Sequence, residues 1–376
     1  MEWTPDILGK DFQSCSFEAA GPDGVVRRAT LIRHRAELPA RPHEGPGAGN
    51  APYGAVLFLH GWSDYFFNTE LARFWAGQGY DFYALDMHNH GRSLRSDSPG
   101  GYVADLAYYD AEIDGALELI RADRAGVPPG SLTLMGHSTG GLIAALWASR
   151  HQDELQFLVL DSPWLEMHGH SLVRRAVHTV LAPLAKLRPE TILRLPERGF
   201  YFRSISSSAE GEWALDEKYR PPLAFPVRAG WLSAVFAGHA LVSQGLNLQM
   251  PVLVLTSAAS ANGMVWQESM RRSDAVLDVG IIALRAMALG RTVTLERIDG
   301  GLHDVFLSAP AVRQDAYARL GRWISGYMRY GGPQGSVPET TVPETTVPET
   351  TVPETTVPEH PAQEHHSMEH QQKGDA

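Results

Sequence analysis

Cysteine is almost missing from this chain: Cys15 is the only one among 376 residues. A disulfide-stapled scaffold is thereby excluded, and a lone thiol fits a reducing compartment. Long hydrophobic runs are missing too. No stretch approaches the roughly 18 consecutive apolar residues that a spanning helix needs, so no membrane span is expected. The start, Met1-Glu2-Trp3-Thr4-Pro5-Asp6, has neither a basic cluster nor an apolar run. No secretory leader is therefore expected, and the cytoplasm is the expected compartment. Positive charge is not in excess either. The formal net charge is −11. Residues 331–376 hold eight acidic residues against one lysine, or −7, which leaves −4 for residues 1–330. A body so nearly balanced argues against a nucleic-acid partner, which would need a basic patch.

What is present divides the chain. Val337-Pro338-Glu339-Thr340-Thr341 begins four tandem VPETT units, and Val357-Pro358-Glu359-His360 starts a fifth. Proline every five residues prevents a regular helix, and the repeated carboxylates repel one another. Residues 332–376 are expected to be a disordered tail. His360, His365, His366 and His370 lie in it without the rigid spacing of a metal site.

The body alternates short apolar runs with helical patterns. Runs at 55–59, 82–86, 132–135, 157–160, 252–255 and 293–298 read as strands. Ile113, Ala116, Leu117 and Ile120 repeat at i, i+3, i+4, i+7 and read as a helix, as do 142–147 and 311–330. Residues 12–37, with a Gly21-Pro22-Asp23-Gly24 turn, read as an antiparallel hairpin on the sheet edge. The expected fold is α/β: a mostly parallel sheet with helices on both faces, ligands binding at the strand C-terminal ends. The alternation stops between about 163 and 247. There Leu172, Ala176, Val177, Val180, Leu181 and Leu184 share one helical face. This segment is expected to be a helical cap, with the core of the fold at 1–162 and 248–331.

Gly136-His137-Ser138-Thr139-Gly140 follows one strand and opens a helix. The five-residue pattern alone is weak, but its strand–turn–helix setting makes Ser138 a candidate nucleophile at an exposed, strained turn. Glycines two residues to either side leave room for the neighbouring strand and helix. A serine needs a base, and the base needs an orienting acid. An aspartate nucleophile is excluded at this turn.

At this point the chain resembles the capped serine hydrolases of the α/β-hydrolase superfamily, a group that includes monoacylglycerol lipases, lysophospholipases and S33-type aminopeptidases. The matching pieces are Leu59-His60-Gly61-Trp62, Asp86-Met87-His88-Asn89-His90-Gly91-Arg92-Ser93, Gly136 to Gly141, and Gly301-Leu302-His303-Asp304. The resemblance implies His303 as the base. It also implies an oxyanion hole made by the backbone N–H groups of Trp62 and Thr139. The family's acid usually follows the strand matched by 252–255. Here that place reads Thr256-Ser257-Ala258-Ala259-Ser260-Ala261-Asn262, with no carboxylate. Asp274 resembles that acid displaced by an insertion and is the first choice. Asp278 and Asp161 are the alternatives, and Asp304 is expected to face elsewhere.

Other histidines are candidates for the same chemistry. His137 is expected to point away from Ser138. His88 and His90 could touch substrate or share a metal, as could His168 and His170, but no further ligands follow at suitable spacing, so no metal is expected. No cofactor is required. The expected function is hydrolysis of a small-molecule carboxylic ester, lipid-like or short, through an acyl-enzyme on Ser138. Trp164, Leu165, Trp213, Trp231, Leu232 and Phe236 would suit an acyl chain. An S33-type aminopeptidase is the second reading. It needs an acid for the substrate amine, and Glu210, Glu212, Asp216 and Glu217 are the candidates. A non-catalytic binding protein on the same scaffold is the third. A homo-oligomer is possible on this reading.

Overall fold

The computed structural model describes residues 2–35, 52–127, 130–167, 181–195, 198–261 and 263–329. The VPETT tail and its histidines, His168 and His170, and the first part of the helix expected near 172–184 lie outside the described residues.

Nine strands make one sheet. They are β1 (Thr4–Asp6), β2 (Gly9–Ala20), β3 (Val26–His34), β4 (Gly54–Leu59), β5 (Tyr80–Asp86), β6 (Ser131–His137), β7 (Phe157–Asp161), β8 (Val252–Ser257) and β9 (Val293–Ile298). Their order is β1-β2-β3-β5-β4-β6-β7-β8-β9. From β5 to β9 every pairing is parallel. β2 and β3 form the expected antiparallel hairpin, in register from Phe12↔His34 to Ala20↔Val26. Gly24, at φ +75°, closes its turn in a conformation that side chains rarely adopt.

The central strands carry continuous apolar stretches because both sheet faces are covered. Leu57, Leu59, Leu134, Leu158 and Val254 point to one side. Val56, Phe58, Met135, Val159 and Leu255 point to the other. Helix α1 (Thr69–Gly77) and the C-terminal helix (Pro310–Trp323) bury Trp75, Leu320 and Trp323 on the second side. Helices α2 (Asp110–Asp123) and α3 (Thr139–Arg150) cover the first. α1 has no counterpart in the sequence reading. It is short, and it starts at Asn68, whose side chain accepts from the Leu71 N–H at 3.1 Å.

Between β7 and β8 the chain leaves the sheet. It carries a helical turn over residues 181–187 (α4), then α5 (Phe200–Ile205) and α6 (Ala229–Gln244). α6 is not a loose cover. Gly238 lets it close on Leu142 and Leu146 of α3; a Cβ there would sit 3.1–3.3 Å from both. Trp231, Val235 and Val242 are buried in the main core. After β8 come α7 (Val279–Ala286), β9 and α8 (Pro310–Trp323). No helix among the described residues is long and apolar enough to cross a membrane.

Candidate active site

β6 ends at His137 and α3 begins at Thr139, so residue 138 alone must turn the chain. Ser138 does so at φ 53°, ψ −118°. A non-glycine residue held there is strained, and the strain aims its hydroxyl out of the turn. The flanking glycines are obligatory. A Cβ on Gly136 would lie 2.5 Å from the Gly140 carbonyl oxygen. One on Gly140 would lie 2.3 Å from the His60 oxygen and 2.5 Å from that of Leu59. The first turn of α3 is thereby pressed against the end of β4.

His303 arrives on the turn after β9, where Gly300 takes φ +74°. Its Nε2 lies 2.9 Å from Ser138 Oγ, and its Nδ1 lies 2.9 Å from Asp274 Oδ2. A carboxylate can only accept, so Nδ1 carries the hydrogen and Nε2 is left to accept from the serine hydroxyl. Asp274 Oδ1 also accepts from the Val276 and Leu277 N–H groups at 2.7 Å each. The ring of Tyr201 stands edge-on to His303 at 5.0 Å.

The distance of Asp274 from β8 in sequence has a structural explanation. The chain runs past β8, makes an excursion, and returns beside itself. Asp274 N–H donates to the Ala259 carbonyl at 2.9 Å, and Ala261 N–H donates to the Asp274 carbonyl at 2.8 Å. Asp274 thus lies beside Ala259–Ala261, just beyond the strand, although far from it in sequence. Asp278 is elsewhere: it caps α7, accepting from Gly280 and Ile281 N–H groups. Asp161 touches neither nitrogen of His303. Its carboxylate accepts from the Val305 N–H at 3.3 Å.

Trp62 and Thr139 line the same cavity as Ser138. Gly61 packs so closely on the turn that a Cβ on it would be 3.3 Å from Ser138 Cβ. Thr139 N–H is the first of α3, at the positive end of the helix dipole. Neither amide has a hydrogen-bond partner among the described residues.

Behind the turn, His137, Asp161 and Asp304 bring three ligand-type atoms within 4.8 Å of one another, all buried. Asp161 and Asp304 hydrogen-bond to each other. Burial pushes both carboxyls up, and for Asp304 the charge of Asp161 adds to it. Asp161 Oδ2 is 3.3 Å from His137 Nδ1. Even so, burial holds the His137 imidazole down to about 4, hence neutral near pH 7. We read this cluster as a carboxyl pair sharing a proton, since a cation would require both acids to ionise in a closed space.

The site opens into a cavity of about 860 Å³. Of the residues expected to suit an acyl chain, Trp164, Trp231 and Leu232 line it. Leu165 is buried in the core, Trp213 packs against Phe67 beside Leu302 and Leu307, and Phe236 packs on His239. Much of the wall comes from residues with no periodic signal, such as Leu193, Phe200, Phe225 and Val227. Among the described lining residues the single carboxylate is Asp64, and it is paired to Arg220 at 2.6 Å. Neither was singled out in the sequence. The one signal was a cation, Arg220, standing in a proline- and aromatic-rich stretch. Glu210 pairs with Arg203 and Glu212 with Arg313, and none of the four acids expected in this region lines the cavity. His88 is tied to Glu112, and His90 packs on His60 at 4.9 Å; neither lines the cavity.

A mainly parallel sheet, a strained serine on the turn after β6, and a histidine and a carboxylate from later turns define an α/β-hydrolase fold. The sequence model of the family described as serine aminopeptidase, S33, matches residues 50–307, more than half of the chain. The chain belongs to that family. A curated relative, phospholipase YtpA of Bacillus subtilis, is 27% identical over 116 residues, 30% of this chain. The match spans only 42% of that relative's length. Solved structures share the fold at low identity. A monoglyceride lipase from Saccharomyces cerevisiae superposes with TM-score 0.56 at 18% identity, covering 80% of this chain and 92% of that one. A carboxyl esterase from Bacillus coagulans gives 0.58 at 15%, covering 85% and 100%.

Proposed function

We propose that the chain hydrolyses carboxylic esters with an apolar acyl group, through an acyl-enzyme on Ser138. The observation that carries this is the Ser138–His303–Asp274 relay, 2.9 Å at each step, on the floor of an apolar cavity. Ser138 attacks the ester carbonyl while His303 Nε2 takes its proton. The Trp62 and Thr139 N–H groups receive the developing oxyanion, each worth roughly 3 kcal/mol in comparable sites. His303 then protonates the leaving alcohol, and water, activated by the same nitrogen, releases the acid. The segment between β7 and β8 acts as a cap, supplying apolar wall to the acyl side. At about 860 Å³ the cavity is within the usual roughly 300–1,000 Å³ of ligand sites. Names of relatives, a phospholipase, a monoglyceride lipase and a carboxyl esterase, favour a lipid-like ester.

The family's own description favours a second reading, an aminopeptidase. Such an enzyme must hold a substrate ammonium group. Among the described lining residues the only carboxylate is Asp64, already neutralised by Arg220, so the ester reading comes first.

The test is turnover of p-nitrophenyl esters of increasing acyl length, beside an amino-acid p-nitroanilide. We expect ester turnover that falls at least about 10³-fold in Ser138→Ala. Each added methylene should raise kcat/KM by up to about fourfold, from roughly 0.8 kcal/mol of burial, until the cavity is full. Cleavage of the anilide alone would move the assignment to a peptidase. Equal ester activity in Ser138→Ala would end the serine mechanism.

A further inference from the structure

Four successive residues of the loop after β4 are each gripped by the segment between β7 and β8. Trp62 stacks on Trp231, with ring centroids 4.3 Å apart. Ser63 Oγ accepts from the Phe225 N–H at 2.9 Å. Asp64 pairs with Arg220 at 2.6 Å, both side chains being under 10% exposed. The Tyr65 hydroxyl accepts from the Asp216 N–H at 3.0 Å. The loop needs such restraint. Ser63 sits at φ +55°, a conformation that a non-glycine residue keeps only when its surroundings impose it.

The position of this loop bears directly on the chemistry. An oxyanion donor works only when it is fixed before the reaction, within a few tenths of an ångström of its contact distance. The Trp62 N–H stands one residue before the strained Ser63 and two before Asp64. Arg220 reaches further still. Its guanidinium lies 4.8 Å over the Tyr201 ring, and that ring is the one standing edge-on to His303. One cation thus braces the oxyanion side and abuts the residue beside the base.

We infer that Arg220 is a positioning residue: through Asp64 it holds the Trp62 N–H at its working place, so the segment between β7 and β8 sets the rate of the chemical step as well as the choice of acyl group. The inference rests on the serine-hydrolase reading above, with Trp62 N–H as an oxyanion donor. If the segment only walled the cavity, its residues would act on substrate binding alone.

The experiment compares wild type, Arg220→Lys, Arg220→Met and Tyr65→Phe, using the best p-nitrophenyl ester from the acyl series. Each protein is also titrated with an alkylboronic acid of matching length, which forms a tetrahedral adduct with the serine, and with a fluorophosphonate that labels Ser138. Loss of a well-placed donor or a shift of about 1 Å should lower kcat about 10²-fold in Arg220→Met. KM should change by less than about threefold, as a transition-state interaction requires. Boronate affinity should fall in parallel with kcat. Arg220→Lys keeps the charge without the fork and should recover part of the loss. Arg220→Met leaves Asp64 buried and uncompensated, so it can fail to fold. Tyr65→Phe then carries the test, because it removes only the bond from the exposed Asp216 N–H. It should lower kcat and boronate affinity together by several-fold. A rise in KM with kcat and the boronate ratio unchanged would overturn the inference while leaving the hydrolase reading intact. A wild type with no turnover and no labelling at Ser138 would overturn both.

Discussion

The two sides of the proposed reaction site are built by different means. On the serine side, main chain fixes main chain: the Ser138 turn is wedged between the carbonyl ends of β4 and the first turn of α3, with glycine where any Cβ would collide. On the Trp62 side, the loop is held by side chains and amides from more than 150 residues later, including Arg220 and Phe225. The first arrangement is local and rigid. The second joins two distant stretches, so it can be retuned by changing the segment between β7 and β8. The difference teaches where specificity can change without loss of chemistry. On the proposed mechanism the sheet secures the attacking groups, and the intervening segment governs both the pocket and one oxyanion donor.

The largest effect that would sharpen this contrast lies on the sheet side. Asp274→Asn should lower kcat about 10⁴-fold, because the amide favours the wrong His303 tautomer. Asp278→Asn should leave kcat unchanged and cost at most about 1 kcal/mol as an altered helix cap. Equal losses from the two would break the assignment, and steady-state kinetics on both variants decides it.

Next comes the carboxyl pair behind the turn. Asp161 and Asp304 have folded pKa values raised above the unfolded ones. Their contribution to stability is complete below about pH 4 and is lost as pH rises through the raised values. Asp304→Asn removes one proton site while its Oδ1 can still accept from Phe306 N–H. Its stability relative to wild type should therefore climb from pH 5 to pH 8, by up to about 1.4 kcal/mol per pH unit. Urea unfolding at three pH values checks this; a flat difference would show that the pair does not share a proton.

Smaller effects belong to the cavity wall. Leu193→Trp should lower kcat/KM about tenfold for the longest accepted acyl ester and spare the acetyl ester, shifting the chain-length optimum downward. A uniform loss across the series would place Leu193 in the chemistry and blur the contrast. Smallest of all, removal of residues 333–376 should leave ester turnover unchanged, as measured on the same substrates.

The legibility of the chain follows the same division. The strands were plain because burial on both faces leaves continuous apolar runs such as Val56–Leu59 and Val252–Leu255. The serine turn was plain because its glycines are sterically forced. The acid was harder, since pairing between Asp274 and Ala259–Ala261 is made across an excursion that no local pattern announces. The wall was hardest. Phe225 and Val227 come from irregular backbone, and α6, read only as part of a cover, is packed onto α3. Asp64 and Arg220 were hard to read because a charge looks like ordinary surface until its partner is known.

That excursion is itself a support. Trp266, within it, meets the Phe200 ring at 6.0 Å and lies under the Arg203 guanidinium at 4.3 Å, and Met270 is fully buried. The same stretch that separates the acid from its strand therefore forms a floor for α5, whose Phe200 and Tyr201 face the cavity. On the proposed mechanism, an inherited change there would reach the Asp274 side of the site and the cavity wall at once. Variation in these few residues gives descent a way to alter both in a single step, and a length change here is far less neutral than in an ordinary surface loop.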